Sequence, residues 1–229
     1  MIKFSNVSKS YGQLLALNSI SFEMKENRVI GLLGPNGSGK STIIKIINGL
    51  LKADSGMIEV NGLDVGIKSK EIVSYLPERN YLDKNLKVDE LIKFFKDFYP
   101  NFNEQKAYKL LEDLKIDSSK KVKTLSKGNI EKVQLILVMS RDAKYYILDE
   151  PIAGVDPATR DYIISTVLNN LSEGSTLIIS THLIYEIEEL LDDLIIIKEG
   201  NIVYYGTKEQ LVKDHNSIDE WFRKEFRHV

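Results

Sequence analysis

The sequence predicts an α/β protein, and three observations carry the prediction. The runs VIGLL, YYILD and TLIIS are almost wholly apolar, which suits strands buried on both faces of a parallel sheet. VIGLL leads directly through a glycine-rich turn into STIIKIINGLL, a helical stretch, so strand, loop and helix follow one another. The segment from residue 77 to 126 reads as helix and is far longer than the roughly 2 to 6 residues of an ordinary connection, so an inserted helical subdomain is expected there.

The elements follow in order. IKFSNV, SISFEM and VIGLL are short β-runs, and MIEV is bounded by DSG before it and NG after it, giving a strand-rich opening. IVSYL (72–76) is a further core strand. VDELIKFFKDFYP is helical until Pro100 stops it, and NEQKAYKLLEDLKI repeats apolar residues at three and four spacing. LSKGN opens another helical run, IEKVQLILVM, and the strands YYILD (145–149) and TLIIS (176–180) come after it. DLIIIKEGNIVYYG reads as a hairpin turning around Glu199, Gly200 and Asn201. The tail, TKEQLVKDHNSIDEWFRKEFRHV, mixes charges with Leu211, Ile218, Trp221, Phe222 and Phe226, so it is either a packing helix pair or a partner contact. No repeat and no low-complexity linker interrupts the chain.

Composition narrows the function. In 229 residues, 31 basic side chains nearly balance 33 acidic ones, for a net charge of −2, so bulk electrostatics argues against nucleic acid as a partner. No apolar run approaches the roughly 18 residues of a membrane span, and the start lacks the apolar core of a secretory signal. A cytoplasmic protein is expected. The absence of cysteine agrees, leaving no disulfide framework and no thiolate metal site. His215 and His228 have no companions at metal-ligand spacing.

Chemistry concentrates in three places. Gly34-Pro35-Asn36-Gly37-Ser38-Gly39-Lys40-Ser41 fits the phosphate-loop pattern between a predicted buried strand and a predicted helix, the context the pattern needs. The glycines let successive backbone N–H groups turn inward on phosphate oxygens, and the helix adds the positive end of its dipole. Lys40 supplies a full charge, Ser41 a hydroxyl for Mg²⁺, and Thr42 a bond to a more internal phosphate. Because the glycines stand as GxxGxG, a dinucleotide fold is the poorer reading. Asp149 and Glu150 close the strand YYILD, so a buried strand delivers two acids to its carboxyl end, where open α/β sheets hold ligands. Asp149 suits a metal held through water, and Glu150 the orientation or deprotonation of an attacking water; a solvated acidic turn is the plainer alternative. His182 follows a strand at the same inferred edge and is either a donor to a terminal phosphate or a surface residue.

Taken together, GPNGSGKST, LSKGN, YYILDEP, AGVDP and STHL, in this order, resemble the nucleotide-binding subunit of ATP-binding cassette (ABC) transporters over nearly the whole chain. The resemblance implies a P-loop NTPase fold with a mixed or parallel core sheet, an N-terminal antiparallel β-subdomain and an inserted helical subdomain. Residues 1–76 and 127–206 would form the core, 77–126 the helical subdomain running up to the signature motif, and 207–229 a helical tail. It also implies ATP and Mg²⁺ as cofactors. Tyr11 would stack on adenine, although a strand-end tyrosine is the alternative. Glu78 stands where a glutamine usually touches the metal and the membrane subunit. Asp156 matches an aspartate that links the two sites of a dimer.

LSKGN matches a signature usually written LSGGQ, which completes the ATP site of the opposite subunit. Ser126 is a good N-cap and Gly128 leaves its N–H open, so the two phosphate contacts survive. Lys127 and Asn129 depart from the pattern; an ammonium about 4 Å from a phosphate oxygen adds at most roughly 4 kcal/mol of attraction at an effective dielectric of 20. The implied partners are an integral membrane permease and a second cassette, identical or related, with membrane association only through the permease. The permease would insert a helix beside Glu78, where Tyr81, Phe94, Phe95, Phe98 and Phe102 either line the groove or form subdomain core. The YLPE lettering leans towards the export branch. A soluble ABC ATPase of DNA repair or translation is the alternative, disfavoured by the single cassette, the absence of a long coiled coil and the absence of a basic stripe. A nucleotide kinase would leave LSKGN and STHL unexplained.

Overall fold

The structure, a computed structural model, describes residues 1–213, 215 and 217–226; His228 lies outside the described residues. In chain order the elements are β1 (Ile2–Tyr11), β2 (Leu14–Met24), β3 (Val29–Leu33), α1 (Lys40–Ile47), β4 (Ser55–Val60), β5 (Leu63–Asp64), α2 (Ile67–Glu71), β6 (Val73–Leu76), α3 (Val88–Phe98), α4 (Glu104–Asp113), α5 (Lys127–Met139), β7 (Tyr145–Asp149), α6 (Pro157–Asn170), β8 (Thr176–Thr181), β9 (Asp193–Lys198), β10 (Asn201–Thr207), α7 (Lys208–Val212) and α8 (Ile218–Glu225). The chain divides into two compact units, Met1–Lys70 with Thr176–Val229, and Glu71–Ser175.

The first unit carries an antiparallel sheet in the order β2-β1-β4-β5. Phe4 faces Phe22 across the β1–β2 ladder, their rings stacked with centroids 4.6 Å apart, and both are buried. The pairing shifts register after Phe4 and again after Val7, and Asn6 and Ser19 adopt left-handed φ of 50° and 47°. Such bulges re-phase the alternation, which is why the strands run on beyond IKFSNV to Tyr11. In the same unit β9, β3 and β8 are parallel, with β10 antiparallel beside β9. Every residue of β8 is buried, and every residue of β9 except Lys198, as strands covered on both faces require. The β9–β10 hairpin turns on Glu199 and Gly200 alone, with φ of 47° and 76°, the two left-handed positions of a type I′ turn. In the tail, Thr207 caps α7 and Ser217 caps α8, and Leu211 and Ile218 are buried.

In the second unit α3, α4 and α5 surround one apolar cluster that includes Val88, Leu91, Ile92, Phe95, Phe102, Leu111, Val133 and Leu137. Each helix starts on a residue that its own sequence supplies. Glu90 accepts the Lys87 N–H ahead of α3 at 2.6 Å, Asn103 accepts from Lys106 ahead of α4 at 2.9 Å, and Ser126 accepts from Asn129 ahead of α5 at 3.3 Å. The aromatics of this segment divide. Phe95 and Phe102 enter the cluster, whereas Phe94 and Phe98 are 49% and 67% exposed and lie against each other with centroids 4.4 Å apart. Tyr81 is exposed as well.

From Val133 to Met139 every residue of α5 is buried, and β6 and β7 lie parallel in the same unit, with all of β7 buried. Arg141 follows α5 and is only 4% exposed. Its guanidinium donates to the carbonyls of Val73 at 2.5 Å and Glu71 at 2.8 Å and to the Asn101 side chain at 3.2 Å, with the Tyr99 ring 3.8 Å away. A buried charge needs such partners, and here carbonyl dipoles and an aromatic face supply them. The arginine thereby fixes the start of β6 to the turn between α3 and α4.

Candidate functional site

The phosphate loop is built within the first unit. β3 delivers Gly34, whose φ is 154° and whose added Cβ would stand 2.3 Å from the Ile197 carbonyl oxygen and 2.6 Å from Ser38 Oγ. Gly39, at φ 119°, would bring a Cβ to 2.7 Å from the Ala16 carbonyl. Both positions therefore demand glycine on two counts, conformation and space. Gly37, at φ 79°, demands it on conformation alone, because nothing lies within 4 Å of its Cβ position. The hairpin tip secures the loop from behind: Gly200 N–H donates to the Ser38 carbonyl at 2.9 Å, and Asn18 N–H to the Gly200 carbonyl at 2.9 Å.

Lys40 is 5% exposed, and its Nζ donates to the Gly34 carbonyl at 2.7 Å and the Pro35 carbonyl at 3.2 Å. The ammonium thus lies across the loop it follows. No side chain caps α1, whose N-terminus brings its positive dipole end to the loop. Ser38 Oγ is buried without a hydrogen-bond partner among the described residues. Buried hydroxyls are almost always bonded, so this one marks where an acceptor belongs. Asn36 and Gly37 are exposed at the loop's crest, Ser41 is half-buried and Thr42 buried. Tyr11 ends β1 and is 46% exposed, and His182 is exposed directly after β8.

The acids belong to the second unit. β7 ends at Asp149, which is 3% exposed, and the next residue, Glu150, takes a left-handed φ of 51°. That conformation is unfavourable for a side-chain-bearing residue, and its carbonyl accepts from Ala153 N–H at 3.2 Å to close a tight turn. Glu78 follows β6 and Pro77. One cavity of about 50 Å³ is lined by Glu78, Asp149 and Glu150 together, so the structure brings these three sequence-predicted residues to one place. Burial, followed by the Asp149 and Glu78 carboxylates, pushes the Tyr75 phenol well above its ordinary pKa. Glu131 and Gln134 of α5 line the same cavity, and neither was singled out from the sequence. The only signal for Gln134 was a polar residue inside an apolar helical run, VQLILVM.

Ser126 stands exposed at the start of α5, and a Cβ at Gly128 would meet nothing within 4 Å, so the approach to its N–H is open. Lys127 points into solvent and lies 3.8 Å from Glu131, an i,i+4 pair. Asp156 caps α6, accepting from Thr159 N–H at 3.0 Å and from the Thr159 hydroxyl at 2.7 Å. The Thr159 hydroxyl first, and the backbone N–H beside it, hold its carboxyl below the ordinary aspartate range. Among the described residues no three His, Cys, Asp or Glu side chains converge as a metal-binding group. A divalent ion would therefore need ligands beyond such side chains, as magnesium does when it keeps waters and phosphate oxygens.

Comparison with known proteins shows the family. Residues 17–153 match the family model described as ABC transporter. An uncharacterised ABC transporter ATP-binding protein of Methanocaldococcus jannaschii is 37% identical over 217 residues, covering 93% of this chain and 79% of that protein. The lipopolysaccharide export system ATP-binding protein LptB of Haemophilus influenzae is 28% identical and is matched over 97% of both chains. Among solved structures, an ATP-binding subunit of an ABC transporter superposes with a TM-score of 0.89 over 98% of both chains; at 24% identity it attests the fold.

Proposed function

The chain belongs to the ABC transporter family as its ATP-binding component, and from that premise we propose that it binds and hydrolyses ATP to drive an export-type membrane transporter. The observation that carries the reading is the phosphate loop, which gathers three kinds of donor: a buried lysine laid across loop carbonyls, a helix N-terminus that no side chain caps, and a buried hydroxyl without a hydrogen-bond partner among the described residues. A polyphosphate is the acceptor that fits. The name of the LptB relative supports export.

In this account Gly34, Asn36, Gly37, Ser38 and Gly39 wrap the phosphates, Lys40 neutralises them, and Thr42 bonds a more internal oxygen. Tyr11 stacks on the adenine. Ser41, Asp149 and Glu78 offer the hard oxygen donors that suit Mg²⁺, which when bound screens charge on the transferring phosphate. Glu150 accepts the proton of the attacking water, and His182 donates to the terminal phosphate. Two copies pair head-to-tail so that Ser126 and Gly128 of each serve the nucleotide of the other, with Asp156 linking the sites. Most of the rate comes from positioning and charge stabilisation. No helix among the described residues is long and apolar enough to cross a membrane. In this reading the permease is a separate chain, and this subunit sits at the inner membrane face through it. Exposed Phe94 and Phe98 are apolar contacts available to that partner.

The experiment is phosphate release from ATP by the purified chain with magnesium. Glu150→Gln is expected to bind ATP as the parent does while turnover falls on the order of 100- to 1000-fold, the range for losing a general base or a transition-state donor. A parent that neither binds nor hydrolyses ATP would refute the reading.

A further inference from the structure

The cavity at the end of β7 contains two side chains that the resemblance leaves without a role. Glu131 and Gln134 stand three residues apart on α5 and so share one face of it, and both line the cavity with Glu78, Asp149 and Glu150. Gln134 is 4% exposed, and its Nε2 has no hydrogen-bond partner among the described residues. Buried amides nearly always find an acceptor, and leaving one unpaired is costly. The groups that face it are carboxylates: Glu78 from the segment after β6, Glu131 from α5 itself, and Asp149 and Glu150 from the end of β7, with Lys127 reaching only Glu131. At about 50 Å³ the cavity has room for water, which needs about 10–15 Å³ and two to four polar partners.

We propose that Gln134 is a positioning residue for ATP hydrolysis: its amide donates to a water in this cavity, and that water donates to the carboxylates at the end of β7. The bonds then run from amide N–H to water oxygen and from water O–H to carboxylate oxygen, each donor meeting an acceptor. The consequence is mechanical. α5 begins at Ser126, the group assigned to the neighbouring subunit's nucleotide, and two turns later the same rigid helix holds the acids of its own subunit. Glu150 needs such support, because its left-handed turn is unfavourable by itself. The inference rests on the ATPase reading given above.

The test uses the purified full chain, first confirmed to hydrolyse ATP; a parent without turnover overturns both readings at that stage. Gln134→Met keeps the volume and removes the donor. Turnover is expected to fall about fivefold to tenfold with KM for ATP unchanged and the thermal midpoint close to the parent's, since methionine fills the same volume and the water keeps its carboxylate acceptors, so what is lost is its orientation. Turnover equal to the parent overturns the proposal, and so does a fall accompanied by a lower midpoint, the mark of packing alone. Should the variant fail to fold, a high-resolution crystal structure of the parent decides. An ordered water within hydrogen-bond distance of Gln134 Nε2 and of a carboxylate supports the proposal; a dry cavity, or an amide bonded to a backbone carbonyl, overturns it.

Discussion

Two glycines of one loop separate the cost of backbone conformation from the cost of space. Gly37→Ala places a methyl group where nothing lies within 4 Å, so its penalty is the left-handed φ of 79° alone. That is about 1–2 kcal/mol, partly offset by about 0.4–1 kcal/mol from the stiffer unfolded chain, for a net loss near 1 kcal/mol. Gly34→Ala incurs a comparable conformational penalty at φ 154° and also drives a Cβ to 2.3 Å from the Ile197 carbonyl, a backbone atom that cannot swing away. Overpacking of this kind adds about 1–3 kcal/mol, so the net loss is about 3 kcal/mol. For a chain of this size each kcal/mol moves the thermal midpoint by roughly 2–4 °C, so the two variants should differ by roughly 4–8 °C in differential scanning calorimetry. Gly34→Ala should also bind ATP more weakly than Gly37→Ala, because only the former displaces Ser38. Equal midpoints for the two variants would show that the β9 carbonyl does not confine the loop, and the packing argument would fail.

Asp156→Asn keeps the Oδ1 acceptor that caps α6 and removes the charge, with the oxygen that accepts from the Thr159 hydroxyl replaced by an amide nitrogen. The Asp156 carboxyl titrates below its unfolded value, so its stabilisation is complete above the ordinary aspartate pKa of about 4 and fades as pH falls through the depressed folded value; the variant's midpoint should fall less steeply than the parent's on acidification below about pH 4. Glu199→Asn places a residue tolerant of left-handed φ before Gly200 in the type I′ turn and should raise the midpoint by the equivalent of about 0.5 kcal/mol, read by thermal unfolding. Arg141→Met leaves the Glu71 and Val73 carbonyls without their guanidinium donor and should cost about 2–4 kcal/mol in urea unfolding, whereas a loss under about 1 kcal/mol would mean those carbonyls find other donors.

The buried strands could be read because burial on both faces leaves an unbroken apolar word: VIGLL became β3 and YYILD became β7 nearly residue for residue. The ends of β1 and β2 could not, since bulges at Asn6 and Ser19 break the alternation that marks a half-buried strand. Helix starts at Asn103, Ser126 and Asp156 were written locally, as capping residues ahead of helical runs. The phosphate loop and the two acids were legible because each is contiguous and follows a strand. The company those acids keep was not, because whether Glu131 and Gln134 face them depends on how α5 is rotated against β6 and β7, which no short pattern encodes. The fate of the α3 aromatics was likewise a matter of rotation: Phe95 and Phe94 are neighbours in sequence and face opposite environments. Glu150's left-handed backbone also left no mark in the letters, since glutamate gives no warning of positive φ.

The most direct test of the account is the solution mass of Glu150→Gln, by light scattering, with and without ATP and magnesium. If two copies close on two nucleotides through Ser126 and Gly128, the mass should rise from that of the 26.1 kDa chain to twice that value on adding ATP, and Ser126→Tyr in the same background should abolish the rise. A mass that stays at one chain while ATP is measurably bound would contradict a site shared between copies.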